Sequence, residues 1–290
     1  MFWGKVADNP QILTAQIIQE DKLEQLKPIR NWQISNLEIP AKSAASVFFN
    51  SQGGQKVLFS KESDRTLPIA SLTKLMATNV ILENYSPSQI VRINKKTMTG
   101  TDEEDAGNFR IGETFLAEDL LYSSLMESSN DATGALVQVV GEEAFVDLMN
   151  LTAENLGMKN TFFVNSTGLD PDNPKDPVNY STAEDMAKLA IYLLKNKPKI
   201  LEISTQPEID LYSANGFFHH KIKNTDALLG ELPGIIGGKT GRTPLAQGCL
   251  LLVTKAPQSN GVMVSVVLGS SDRFGEMKKL VEWLKDAYKW

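Results

Sequence analysis

The sequence predicts an α/β protein of the α+β kind: an antiparallel sheet built from both chain ends, with a helical lobe inserted between them. Three observations carry this. Short β-rich apolar runs occur early, at Ala45–Phe49 and Lys56–Phe59. Two more occur late, at Gly248–Val253 and Val262–Leu268. From Ser71 to about Lys197, between these runs, apolar residues recur at helical spacing.

Residues 1–40 read as an N-terminal extension or tether, and 41–290 as the main domain. In the extension, Asp8-Asn9-Pro10 offers a helix cap with proline near the first helical position. Ile12, Leu13, Ile17, Ile18, Leu23 and Leu26 then give an amphipathic helix before Pro28. Such a helix either packs on its own domain or acts as a spacer or partner-binding element. Ser51-Gln52-Gly53-Gly54 turns the first two apolar runs into a hairpin. Helices are expected over 71–84, 117–127, 130–140, 142–156 and 182–195. Gly157 closes the fourth as a left-handed C′ residue, and Ser181 with Thr182-x-x-Asp185 resembles an N-terminal cap for the fifth. Pro257–Gly261 joins the two late strands. A last helix over 273–288 carries Met277, Leu280, Val281 and Leu284 on one stripe.

Composition removes several classes of function. The 290 residues include 29 Lys and Arg against 35 Asp and Glu, a net charge of −6. No basic face for nucleic-acid phosphates is implied by that balance. The two histidines, His219 and His220, are adjacent and would point to opposite faces of a strand, so a two-histidine metal pair is not expected. A single cysteine, Cys249, excludes an internal disulfide and a CxxC redox site; in an apolar strand it should be buried. Asp102-Glu103-Glu104-Asp105 lacks the order of a calcium loop and reads as a solvated rim. No run of about 18 apolar residues could span a membrane, and Met1–Lys5 does not begin a secretory signal.

Three short motifs carry chemistry. Ser71-Leu72-Thr73-Lys74 opens an apolar helix, and residues i and i+3 share a face, so the Ser71 hydroxyl and the Lys74 amine can meet. A serine hydroxyl needs a neighbouring base. Burial and the positive helix N-terminus should both lower the Lys74 pKa towards that task. By itself the pattern also fits a capped buried helix with a snorkelling lysine. Ser128-Ser129-Asn130 lies between two helical runs and offers a second hydroxyl and an amide; Ser213-Ala214-Asn215 is a decoy of the same form. Gly238-Lys239-Thr240-Gly241-Arg242 precedes the first late strand. A phosphate loop requires a glycine where Pro233 stands, so that reading fails on spacing. An edge strand facing a site remains, with Lys239 giving charge, Thr240 a hydroxyl and Gly241 room for an extended peptide.

The order S-x-x-K, S-D-N, K-T-G is the signature shared by class A β-lactamases and penicillin-binding proteins, and it occurs here with Ser129 as the middle residue of the second element. With it stand Pro68-Ile69-Ala70, Glu118-Asp119-Leu120, Asn130-Asp131-Ala132, Thr167-Gly168-Leu169-Asp170 and Tyr180–Met186. Over about 42–290 the chain therefore resembles the penicillin-binding D-alanyl-D-alanine carboxypeptidases, low-molecular-mass serine peptidases. It departs from them at Pro233–Gly238, where relatives often have Val-Asp-Gly-Ile, and at Pro244. The sequence also lacks a counterpart of the β-rich C-terminal domain and membrane-binding tail of many relatives.

The resemblance implies a β-lactamase/transpeptidase-like fold and a site in the cleft between sheet and helical lobe. It implies Ser71 as nucleophile, Lys74 as base, Ser128 as proton relay and Asn130 as orienter. Lys239, Thr240, Gly241 and Arg242 would bind the substrate, with the N–H groups of Ser71 and Arg242 as oxyanion hole. The substrate would be a peptidoglycan stem peptide and β-lactam antibiotics covalent inhibitors, with no metal or organic cofactor and no nucleic acid. Such a substrate places the enzyme outside the cytoplasmic membrane, with any membrane contact made through a segment not in this sequence. The alternatives are a β-lactamase or a non-catalytic wall-binding protein of the same fold. Against the first, no E-x-x-L-N stretch occurs, and no glutamate lies between Glu154 and Glu184.

Overall fold

A computed structural model describes residues 28–98 and 107–290. The helix expected over 12–26 and the acidic run 102–105 lie outside the described residues. Five strands form the central sheet: β1 (Ser43–Phe49), β2 (Gln55–Lys61), β3 (Ile235–Thr243), β4 (Gln247–Lys255) and β5 (Val262–Ser270), in the order β3-β4-β5-β1-β2. Every pair is antiparallel. The two chain ends thus meet where β5 pairs with β1, Ser265 opposite Ser46 with their hydroxyls 3.0 Å apart.

Both faces of the three inner strands β4, β5 and β1 are covered, so these read as near-continuous apolar runs. Ala45 and Phe49 of β1 face one core, with Leu251 and Val253 of β4; Ala44, Phe48, Leu250 and Leu252 face the other. The second core is closed by α7 (Arg273–Ala287) through Met277, Leu280, Val281 and Leu284. Ile29–Arg30, within the expected extension, pairs with Tyr288–Lys289, and Ile39 is buried in this same core.

The helical lobe contains α1 (Thr73–Asn84), α2 (Ala117–Tyr122), α3 (Asn130–Val137), α4 (Glu142–Asn155), α5 (Ala183–Asn196) and α6 (Pro198–Ser204). Helix α1 is buried continuously from Thr73 to Ile81, as a helix at the centre of a lobe must be. The Thr182 hydroxyl caps α5 by accepting from Asp185 N, and Gly157 ends α4 at φ +68°.

Three expectations need correction. The single helix over 117–127 is broken: α2 stops at Tyr122 and Ser123–Glu127 forms a π turn. Helix α6 and the strand Glu208–Tyr212, which pairs with Phe218–Lys223 in a two-stranded ribbon, fall where the sequence reading assigned nothing. His219 and His220 do not point apart. Leu211 pairs with His220 but Tyr212 pairs with Phe218, so His219 is the extra residue of a β-bulge, and their Nδ1 atoms lie 2.7 Å apart. A bulge breaks the alternation on which the expectation rested.

Candidate active site

Ser71 sits in a 3₁₀ turn, Ala70–Leu72, that leads into α1. Ala70 adopts φ +47°, a left-handed conformation costly for a side-chain-bearing residue. One turn later Lys74 is fully buried, and its Nζ lies 3.0 Å from Ser71 Oγ. The same Nζ donates to Asn130 Oδ1 at 2.7 Å and to the Thr167 carbonyl at 3.0 Å.

Ser128 follows the π turn and is itself left-handed, φ +68°. This kink places its hydroxyl 2.9 Å from Lys239 Nζ. Ser129, the middle residue of the motif, is the N-cap of α3: its hydroxyl accepts from Ala132 N at 3.1 Å. Asn130 then begins α3 with its amide oxygen on Lys74. The decoy Ser213–Asn215 lies in the turn of the ribbon, where Ser213 N donates to Phe217 O.

Strand β3 occupies the sheet edge, as expected, and runs past the Ser71 turn. A Cβ on Gly241 would lie 3.0 Å from Ser71 N and 3.1 Å from Ile69 O, so a side chain there would press on the serine turn. Lys239 is buried and its ammonium is pushed well below an ordinary lysine pKa. Desolvation is the chief cause; Lys74 and Arg273 add to it, and Asp226 opposes it. The Thr240 hydroxyl meets that of Thr225 at 2.6 Å, and Arg273 Nη1 donates to Gly241 O at 2.9 Å. Arg242 is exposed beside them. Positive groups therefore gather at this end of β3.

A loop from Asn165 to Asp170 closes the far side. Its centre is Asn179, fully buried, whose Oδ1 accepts from Val164 N (2.7 Å) and Asn165 N (3.0 Å). Its Nδ2 donates to Thr73 Oγ1 (3.0 Å) and Asn165 O (2.9 Å). Asn165 Oδ1 accepts from Gly168 N at 2.7 Å, shaping the turn that presents the Thr167 carbonyl to Lys74. Carboxylates touching this loop have structural partners: Glu142 with Ser166 N and Oγ, Asp170 with Thr243 Oγ1 and Leu245 N.

Hydrogen bonds thus link Ser71, Lys74 and Asn130 in one group and Ser128 with Lys239 in another, with Thr240, Gly241 and Arg242 beside them on β3. The sequence reading missed Thr167, Asn179, Thr225 and Arg273. Of these only Thr167 carried a signal, in Thr167-Gly168-Leu169-Asp170; the others act through contacts distant in sequence. Cys249 is buried and its thiol is pushed up to about 11 by desolvation, so it is inert. Among the described residues no cluster of three or more His, Cys, Asp or Glu side chains could hold a metal ion.

The sheet, the inserted lobe and the serine–lysine pair between them define the class, the fold of the penicillin-binding proteins and DD-transpeptidases. The chain belongs to the D-alanyl-D-alanine carboxypeptidase family, whose sequence profile matches residues 31–272. It is 32% identical over 263 residues to the D-alanyl-D-alanine carboxypeptidase DacF of Bacillus subtilis, covering 88% of this chain and 64% of that protein. It is also 32% identical, over 247 residues, to the D-alanyl-D-alanine endopeptidase of Pseudomonas aeruginosa, covering 84% and 77%. Penicillin-binding protein D2 of Listeria monocytogenes, in its ampicillin-bound form, superposes with a TM-score of 0.73 at 29% identity, over 86% of this chain and 99% of that one.

Proposed function

We propose that this chain is a serine-type D-Ala-D-Ala carboxypeptidase that removes the terminal D-alanine from peptidoglycan stem peptides through an acyl-enzyme, and that β-lactams acylate the same serine. The observation that carries the reading is the pair of lysine–hydroxyl contacts, Lys74 with Ser71 at 3.0 Å and Lys239 with Ser128 at 2.9 Å. A neutral amine has two N–H donors and one lone pair. With Asn130 Oδ1 and the Thr167 carbonyl accepting from Lys74, the lone pair is left for the Ser71 proton.

In this scheme Ser71 Oγ attacks the carbonyl between the two D-alanines while its proton passes to Lys74. The N–H groups of Ser71 and Arg242 hold the developing oxyanion. Ser128, held by Lys239, passes a proton to the departing D-alanine amine. Asn130 holds Lys74 and the substrate amide, while the extended peptide pairs with β3. Lys239, Thr240 and Arg242 take the terminal carboxylate. Water then releases the shortened peptide. Stem peptides would put this activity outside the cytoplasmic membrane; since Ile29, Arg30 and Ile39 pack on the domain, a tether could only precede them. Among the described residues no helix is long and apolar enough to cross a membrane.

Retention of penicillin tests the reading against the β-lactamase alternative. Glu142 and Asp170 are held by Ser166, Thr243 and Leu245, so neither is poised to activate the hydrolytic water as a β-lactamase glutamate does. Intact-mass spectrometry after mixing should show one penicilloyl adduct, mapped to Ser71, that persists. Rapid return to the unmodified mass with multiple turnovers would make the enzyme a β-lactamase.

A further inference from the structure

Among the described residues, a cluster of titratable side chains adjoins Ser128 outside the reacting groups. Glu127, the residue before it, is buried; its Oε1 accepts from Ser123 Oγ at 2.6 Å, and both carboxylate oxygens lie 3.1 Å from His220 Nε2. His220 Nδ1 lies 2.7 Å from His219 Nδ1, and His219 Nε2 lies 3.2 Å from Glu113 Oε2. The bulge in the ribbon makes this chain of contacts possible, because regular alternation would separate the imidazoles. Phe109 stacks on His219 at 5.3 Å and Phe115 meets its ring edge-on. Arg110 adds a positive charge nearby.

Three hydrogen bonds are to be made along Glu113–His219–His220–Glu127, and each needs one proton. Two neutral imidazoles bring two. The third is present only when the pair carries one extra proton, as an imidazolium flanked by carboxylates. With two protons one link must open, either at a carboxylate or between two facing Nδ1 lone pairs.

We propose that Glu127 is a positioning residue that holds the left-handed turn of Ser128, and that His220 and His219 lock it, all three links being closed only while the pair carries the extra proton. This rests on the reading of Ser128 as a proton relay. Burial holds the His219 imidazole below its ordinary pKa, against the pull of Glu113. The closed lock therefore belongs to the acid side of neutrality and opens as pH rises.

The test measures the second-order rate constant of penicillin acylation, from acidic to mildly alkaline pH, on the full chain. His220→Gln keeps an N–H near the position of Nε2 but does not titrate; His220→Leu removes the donor; Ser128→Ala is the reference. His220→Leu should acylate about 10–10²-fold more slowly, the range expected for a misplaced catalytic group, and His220→Gln should recover most of the rate. The ratio of wild type to His220→Gln, in which the titration of Lys74 cancels, should fall as pH rises. If Ser128→Ala is slow but His220→Leu reacts at the wild-type rate, the lock is refuted and the reading of Ser128 stands. Wild-type acylation by Ser128→Ala overturns the reading of Ser128 and the lock with it. Should thermal unfolding show that His220→Leu does not fold, a pH-independent ratio for His220→Gln refutes the lock alone.

Discussion

Replacing Gly168 by alanine perturbs the loop that presents the Thr167 carbonyl to Lys74. Gly168 has φ +86°, and an added Cβ would collide with the Ala70 carbonyl and lie 2.9 Å from Thr73 Oγ1. Neither neighbour is the free end of a flexible side chain, since both belong to the turn and helix that carry Ser71 and Lys74. The left-handed backbone costs an alanine about 1–2 kcal/mol, and overpacking a tight site about 1–3 kcal/mol more. The sum, about 2–5 kcal/mol, lowers the melting temperature by about 3–8 °C in a chain of this size. Relief of the clash moves the loop away by about 1 Å, enough to loosen the 3.0 Å bond from Lys74 to Thr167 and slow acylation about 10²-fold. Gly157→Ala is the control: it carries the same backbone penalty at φ +68° with nothing within 4 Å of the added carbon. It should lose only the first contribution and acylate normally. Melting temperatures by circular dichroism and stopped-flow acylation by fluorescent penicillin measure both. If Gly168→Ala is no less stable than Gly157→Ala and acylates at the wild-type rate, the loop does not hold Lys74 and the reasoning fails.

Lys74→Ala should bind penicillin but acylate about 10²–10⁴-fold more slowly, the usual loss of a general base; unchanged acylation would assign the base elsewhere. Lys239 is charged only below a depressed pKa, so affinity for a carboxylate-terminated competitive inhibitor should fall as pH rises through that range. An amide-terminated analogue should show no such trend, and parallel pH profiles of the two inhibition constants would contradict the carboxylate role. Asn179→Ala leaves buried partners on Thr73, Val164 and Asn165 unsatisfied, and should cost about 2–4 kcal/mol in denaturant unfolding. A loss below about 0.5 kcal/mol would show that the loop does not depend on it.

What the sequence made legible was local. Ser71 and Lys74 are one helical turn apart, so their meeting follows from spacing alone, and Ser128 with Asn130 brackets a helix start. The sheet was readable because buried strands are apolar on both faces, as in Leu250–Val253. The rest depends on contacts that spacing does not encode. Asn179 reads as an ordinary loop residue until the fold brings it to Thr73, 106 positions away. Arg273 reads as the start of a surface helix, yet it reaches Gly241 O. The break at Ser123 is a π turn with apolar residues on either side, Leu120 and Leu121 before it and Leu125 and Met126 within it, so the residue types do not mark it. His219 and His220 were misplaced because a bulge adds one residue without any sign in the residue types.

The central claim is tested most directly by mixing the enzyme with a peptide ending in D-Ala-D-Ala and following free D-alanine and the shortened peptide together over time. The account predicts catalytic release of one D-alanine per peptide shortened, abolished in Ser71→Ala. Release of no D-alanine by an enzyme that still forms the Ser71 penicilloyl adduct would contradict carboxypeptidase activity, and undiminished release by Ser71→Ala would contradict the nucleophile.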